Sequence, residues 1–181
     1  MGRNRRFDFT LFESKHSKLI FRFYPKYSHC HSFDDVPPKS WNEVYKVYYS
    51  YSIIKHYKND IFELPSEVMF SSGCDECSAI DEVAEACDLI VMGHKSITRT
   101  WNNEEITIEL LNRDIYPTGD GVTWKISEIK SIKSGSIRYE ITLFRFDGVG
   151  YKFYLDKDKL GEFGNYLNDC CEYMLAHGEP I

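Results

Sequence analysis

The chain is predicted to fold as an α+β protein. Three features predict it: runs of strand length that alternate apolar and polar residues, a strongly periodic helical stretch from Asp75 to Met92, and a second helical stripe near the C-terminus. The expected arrangement is an antiparallel β-meander in the C-terminal half closed by a C-terminal helix, with an N-terminal hairpin and two further helices. With 181 residues, 43% of them hydrophobic, the chain can bury one ordinary core, and residues 1–181 are taken as a single domain.

Phe7 to Phe12 and Leu19 to Tyr24 alternate around the polar segment from Glu13 to Lys18, the pattern of a β-hairpin with a loop longer than two residues. Pro25 is expected to end it. Histidines, serines, aspartates and the Pro37-Pro38 pair then mark an irregular connection to Lys39. Ser40-Trp41-Asn42-Glu43 has the spacing of a capping box, which favours a helix from Trp41 to about Tyr57 with Val44, Tyr48, Tyr51 and Ile54 on one stripe. The competing reading is a strand, because Tyr45, Val47, Tyr49, Tyr51 and Ile53 alternate and are strand formers. Leu64-Pro65-Ser66 breaks the chain before the central helix.

At about 100° per residue, Cys77, Ile80, Val83, Ala84, Cys87, Ile90 and Val91 fall on one arc of that helix. Asp75, Asp81, Glu82, Glu85 and Asp88 fall on the other. The acids extend an unbroken segment, since no Lys or Arg lies between Lys58 and Lys95. Like charges three and four apart on a helix cost about 0.2–0.5 kcal/mol per pair. Asp75 and Glu76, in the first turn, offset part of this against the helix dipole.

Beyond Gly93, Ile97–Trp101 and Ile106–Leu111 flank a hairpin turn at Asn102-Asn103-Glu104-Glu105. Turn signals at Thr118–Gly121, Ser134–Ser136 and Asp147–Gly148 then separate three more strands, giving a meander of about five. Asp156 or Asp158 can cap a last helix to about Leu175, its stripe being Leu160, Phe163, Leu167, Cys170 or Cys171, and Met174. In outline, residues 97–175 resemble pleckstrin-homology-type domains. The resemblance rests on element order and implies a fold only, because the basic cluster of a phosphoinositide site is absent from these turns.

A formal charge of −6 argues against direct contact with nucleic acid or an anionic membrane, and no apolar run is long enough to span a bilayer. The charge is uneven: residues 1–60 hold 11 Lys/Arg and 6 Asp/Glu, residues 61–120 hold 3 and 13, and residues 121–181 hold 8 and 9. The opening MGRNRRFDF lacks the apolar segment of a signal peptide, so the six cysteines are read as reduced thiols of a cytoplasmic protein.

Cys74-Asp75-Glu76-Cys77 is a C-x-x-C whose intervening acids disfavour a reactive thiolate. With His29 and His31 it makes one candidate zinc set, Cys74, Cys77, His29 and His31, against the simpler reading that Cys77 and Cys87 pack as small hydrophobes. Otherwise no cofactor is expected. Gly119-x-Gly121 and Gly148-x-Gly150 lack the lysine or helix start of a phosphate loop and read as turns. The functional expectation is a non-enzymatic acidic binding protein, of the kind of immunity proteins and phage anti-defence (anti-CRISPR) inhibitors. Its Asp75, Asp81, Glu82, Glu85 and Asp88 would contact a protein with a basic surface, such as a nucleic-acid-binding protein. A zinc-stabilised regulatory domain, or a small hydrolase or transferase assembled from distant residues, is the alternative.

Overall fold

The computed structural model describes residues 7–30, 44–57, 60–65, 69–72, 79–115, 122–145 and 150–177. The elements run β1 (Phe7–Glu13), β2 (Ser17–Cys30), β3 (Val44–Tyr57), β4 (Asp60–Pro65), β5 (Met69–Ser72), α1 (Ala79–Val91), β6 (Ser96–Trp101), β7 (Glu104–Glu109), β8 (Asp114–Ile115), β9 (Val122–Lys130), β10 (Ile137–Arg145), β11 (Gly150–Leu155) and α2 (Lys157–His177). The α+β class stands, built of antiparallel strands with two helices among the described residues rather than three.

Of the element expected as a helix over 41–57, Val44–Tyr57 is strand β3. It pairs with β2 along nearly its whole length, with Ile20 opposite Ile54 and Tyr24 opposite Ser50. A cap contributes about 1 kcal/mol, whereas a fourteen-residue run rich in tyrosine, valine and isoleucine loses rotamer freedom at most positions of a helix and fits a pleated surface. Ser40 and Glu43 themselves lie outside the described residues.

Pro25 does not end β2, which continues to Cys30. Its pairing with β1 is described as far as Phe7 opposite Phe23. On the other side the register with β3 shifts between Pro25 and Tyr27, a bulge that accommodates a residue without an N–H. β4 and β5 both line the far edge of β3, β4 against Ser52–Tyr57 and β5 against Lys46–Tyr49, completing a five-stranded sheet.

The expected C-terminal meander divides. β9, β10 and β11 pair in sequence, with short β8 beyond β9, but β6 and β7 form a separate two-stranded sheet. Their turn is Asn102-Asn103, both residues at positive φ, which suits the twist of a tight hairpin. The outline of a pleckstrin-homology-type domain over 97–175 is therefore only partly met. α1 ends in a Schellman motif: Gly93 at φ +94° donates to the Ile90 carbonyl and His94 to that of Leu89.

The two larger sheets bury aromatic faces against α2. Phe9 and Phe21 are register partners on one face of the five-stranded sheet, and Phe153 comes from β11 of the other. All three meet the fully buried ring of Phe163, at centroid separations of 5.3, 5.6 and 5.6 Å. Trp124 of β9 closes on Phe21 at 6.1 Å. The Tyr166 hydroxyl donates to the Phe7 carbonyl at 2.9 Å, fixing α2 to the start of β1. The Asp156 carboxylate accepts from the Lys159 N–H at 2.8 Å, the expected N-cap of this helix.

α1 packs on α2 through small residues. A Cβ on Gly164 would lie 2.9 Å from Cys87 Cβ and 2.8 Å from Asp88 Oδ1, and one on Gly161 would reach Val91 at 3.6 Å. Ile80, Val83, Ala84, Cys87 and Ile90 are buried as the wheel predicts, Val91 is half-buried, and Ala86 is buried as well. Cys77 lies outside the described residues.

Phe163→Ala is expected to lower stability by about 3–5 kcal/mol, the usual cost of deleting a buried phenyl ring. Gly164→Val should cost about 1–3 kcal/mol by forcing the helices apart. Urea unfolding checks both; a Gly164→Val midpoint equal to the wild type's would mean that the close crossing does not constrain the fold.

Candidate functional site

Of the acidic residues singled out, Asp81, Glu82, Glu85 and Asp88 lie on α1, and most of them are engaged within the chain. Glu82 is ion-paired with Arg113, which follows β7, and Glu85 with Arg99 of β6. Asp88 lies at the seam of the helices and accepts from Asn168 Nδ2 at 3.3 Å. Asp81 also has a partner. Only Glu85 is exposed; Asp81, Glu82 and Asp88 are half-buried. Asp75 lies outside the described residues.

The segment without Lys or Arg thus acts in part as an internal anchor. It draws in two arginines from further along the chain and holds the β6–β7 hairpin against α1. Sequence distance concealed this, because the pairs span 14 and 31 residues.

A second acidic row lies on α2. Asp158, Glu162, Asp169 and Glu172 follow the i, i+4, i+11, i+14 spacing of one helix face, and all four are exposed. Glu162 pairs with Lys159 at 2.6 Å. Asp158, Asp169 and Glu172 make no ion pair among the described residues. The spacing was readable in the sequence but was masked by the apolar stripe of the same helix. Together α1 and α2 carry eight carboxylates against two lysines, Lys157 and Lys159.

Of the zinc set, Cys74, Cys77 and His31 lie outside the described residues. His29 belongs to β2, opposite Lys46 of β3. Among the described residues no group of three or more His, Cys, Asp or Glu side chains is placed to hold a metal ion. Burial pushes the Cys170 thiol up to about 12 and raises that of Cys87 further, with Asp88 adding to the latter. Both thiols remain protonated at neutral pH, so they serve the core as small hydrophobes. Burial likewise holds the Tyr166 hydroxyl far above its ordinary range.

A polar cluster lies on the outer face of the four-stranded sheet. Burial alone would raise the Glu140 carboxyl, but hydrogen bonds from Lys152, Tyr154 and Thr142, with the Lys152 charge, bring it below the usual carboxylate range. Lys152 Nζ is 3.0 Å from Glu140. Among the described residues no helix is long and apolar enough to cross a membrane.

No family model, no curated protein and no solved structure matches this chain.

Two outcomes follow from these pairs. Glu82→Gln and Glu85→Gln are each expected to cost no more than about 1 kcal/mol. Reversal to lysine should cost more at Glu82 than at Glu85, because the Glu82–Arg113 pair is the less exposed. Reversal therefore lowers stability, contrary to what a free acidic ridge would do; double-mutant cycles with Arg113 and Arg99 measure the difference.

The Glu140 carboxyl is depressed in the folded state, so its stabilising contribution is present above the unfolded pKa and is lost as pH falls through the folded one. Glu140→Gln should lower the melting temperature at neutral pH. The gap from wild type should close as pH drops below about 4, where the unfolded carboxyl protonates. A gap independent of pH would show that charge at Glu140 plays no part.

Proposed function

We propose that the protein is a non-enzymatic binding protein whose helical layer engages a basic surface on a partner protein. The single observation carrying the reading is the eight-to-two excess of carboxylates over lysines on α1 and α2, with Asp158, Asp169 and Glu172 exposed and unpaired among the described residues. Such a surface raises the rate of encounter with a cationic partner and opposes approach to phosphate backbones.

In this reading Asp81, Glu82, Glu85 and Asp88 set the field at one side of the layer, and the α2 row supplies the direct contacts. Arg99 and Arg113 compete with the partner for Glu85 and Glu82, which shifts the main contact toward α2. The most specific form of the proposal is an inhibitor that occupies a site built for nucleic acid, in the manner of immunity and anti-defence proteins.

The test is affinity isolation from the source cells at low and high salt, with wild-type protein and the Asp158→Asn, Asp169→Asn, Glu172→Gln triple variant as baits. The expected result is a basic protein recovered by the wild type at low salt, released at high salt and at least tenfold depleted with the variant. Equal recovery by both baits would contradict the reading.

A further inference from the structure

The groove where β11 meets the β1–β2 hairpin carries the opposite charge. Along β11, Phe153 and Leu155 point into the core, so Lys152 and Tyr154 point outward. There they meet the end of the β1–β2 hairpin and Lys55 of β3 around an open groove of 470 Å³, lined by Phe12, Lys18, Lys55, Arg138, Lys152 and Tyr154 over an apolar floor that includes Leu11, Leu19 and Phe153. Four cations converge here, and among the described residues no Asp or Glu lines the groove, although the whole chain is acidic.

The cations differ in what they have left to offer. Lys18 pairs with Glu13 at 3.4 Å and Lys152 with Glu140 at 3.0 Å. Lys55 and Arg138 make no ion pair among the described residues. Two large rings stand open beside them, Phe12 at 56% and Tyr154 at 51% exposure. The Tyr154 ring is also held in place, because its hydroxyl bonds the same Glu140 carboxylate that binds Lys152. Arg138 and Tyr154 are shared with an adjoining hollow of 390 Å³ bordered by Ile129, Ser131, Ser134 and Ser136.

We infer that this groove binds a small ligand that joins a phosphate group to an aromatic ring, of the nucleoside monophosphate class. Lys55 and Arg138 supply the uncompensated charge for one dianionic phosphate, and Arg138 offers a planar fork of donors. Tyr154 and Phe12 supply faces on which a base stacks. The volume lies within the range of about 300–1,000 Å³ common to small-molecule sites. A longer nucleic acid fits less well, because among the described lining residues only two cations are unneutralised and the carboxylates of the helices repel an extended polyanion. The site lies apart from the acidic face and does not depend on its role.

The experiment titrates full-length protein, followed by calorimetry and by backbone NMR shifts, with adenosine and uridine monophosphates, adenosine, inorganic phosphate and a short single-stranded oligothymidylate. A monophosphate is expected to bind saturably, shifting amides around Lys18, Lys55, Arg138 and Tyr154. Adenosine or phosphate alone should bind at least about tenfold more weakly, since each lacks half of the interactions. Arg138→Ala, Lys55→Ala and Tyr154→Leu, all at exposed positions, should each weaken binding by about tenfold with little change in melting temperature. Four results would overturn the inference: no saturable binding of either monophosphate, binding unaffected by Arg138→Ala and Lys55→Ala, phosphate binding as tightly as the monophosphates, or binding of the oligonucleotide alone.

Discussion

The seating of α2 between two sheets is the constraint on which the rest of the structure depends. Phe163 is the point of contact, meeting a ring from β1, one from β2 and one from β11, so residues far apart in sequence close on a single side chain. Each ring pair contributes about 0.5–1.5 kcal/mol beyond the area it buries. One residue further along, Gly164 allows α1 to approach until Cys87 and Asp88 nearly touch the α2 backbone. A helix gripped on both sides in this way sets the relative position of the sheets, and with it both charged faces.

Much of this was legible in the sequence. The buried arc of α1 follows from its 3.6-residue period, with Ile80, Val83, Ala84, Cys87 and Ile90 inside, and the Asp156 cap and apolar stripe of α2 are local signals. What failed was long-range. The segment from Val44 to Tyr57 carries both a helical and a strand pattern, and only the partner strand β2 decides between them. Pro25 is a breaker in isolation, yet it falls where a bulge in the pairing with β3 is available. The pairing of Glu82 with Arg113 and of Glu85 with Arg99 has no sequence signature, because neither pair has local spacing. Gly161 and Gly164 had one, two glycines three apart in a helical stripe, which signals close approach of another backbone.

Charge in this molecule is unevenly distributed between the helices and the groove. Alternation along β11 sends Phe153 and Leu155 inward to α2 and Lys152 and Tyr154 outward. The two helices carry an excess of carboxylates, while the groove between β11 and the β1–β2 hairpin gathers Lys18, Lys55, Arg138 and Lys152. Glu140 belongs to the groove in a supporting sense, since its carboxylate orients Lys152 and Tyr154 without lining the space itself. A chain whose net charge suggests one kind of partner thus presents two surfaces of opposite sign.

The central claim is that α2 is bound into the global core and does not fold as an appendage. Native-state hydrogen exchange measures this directly, because it assigns an opening free energy to each amide. Amides from Leu160 to Cys171 should exchange only through the same global unfolding that exposes the central amides of β2 and β10. If instead the α2 amides open at a markedly lower free energy while both sheets stay protected, the helix is not what holds the sheets in place.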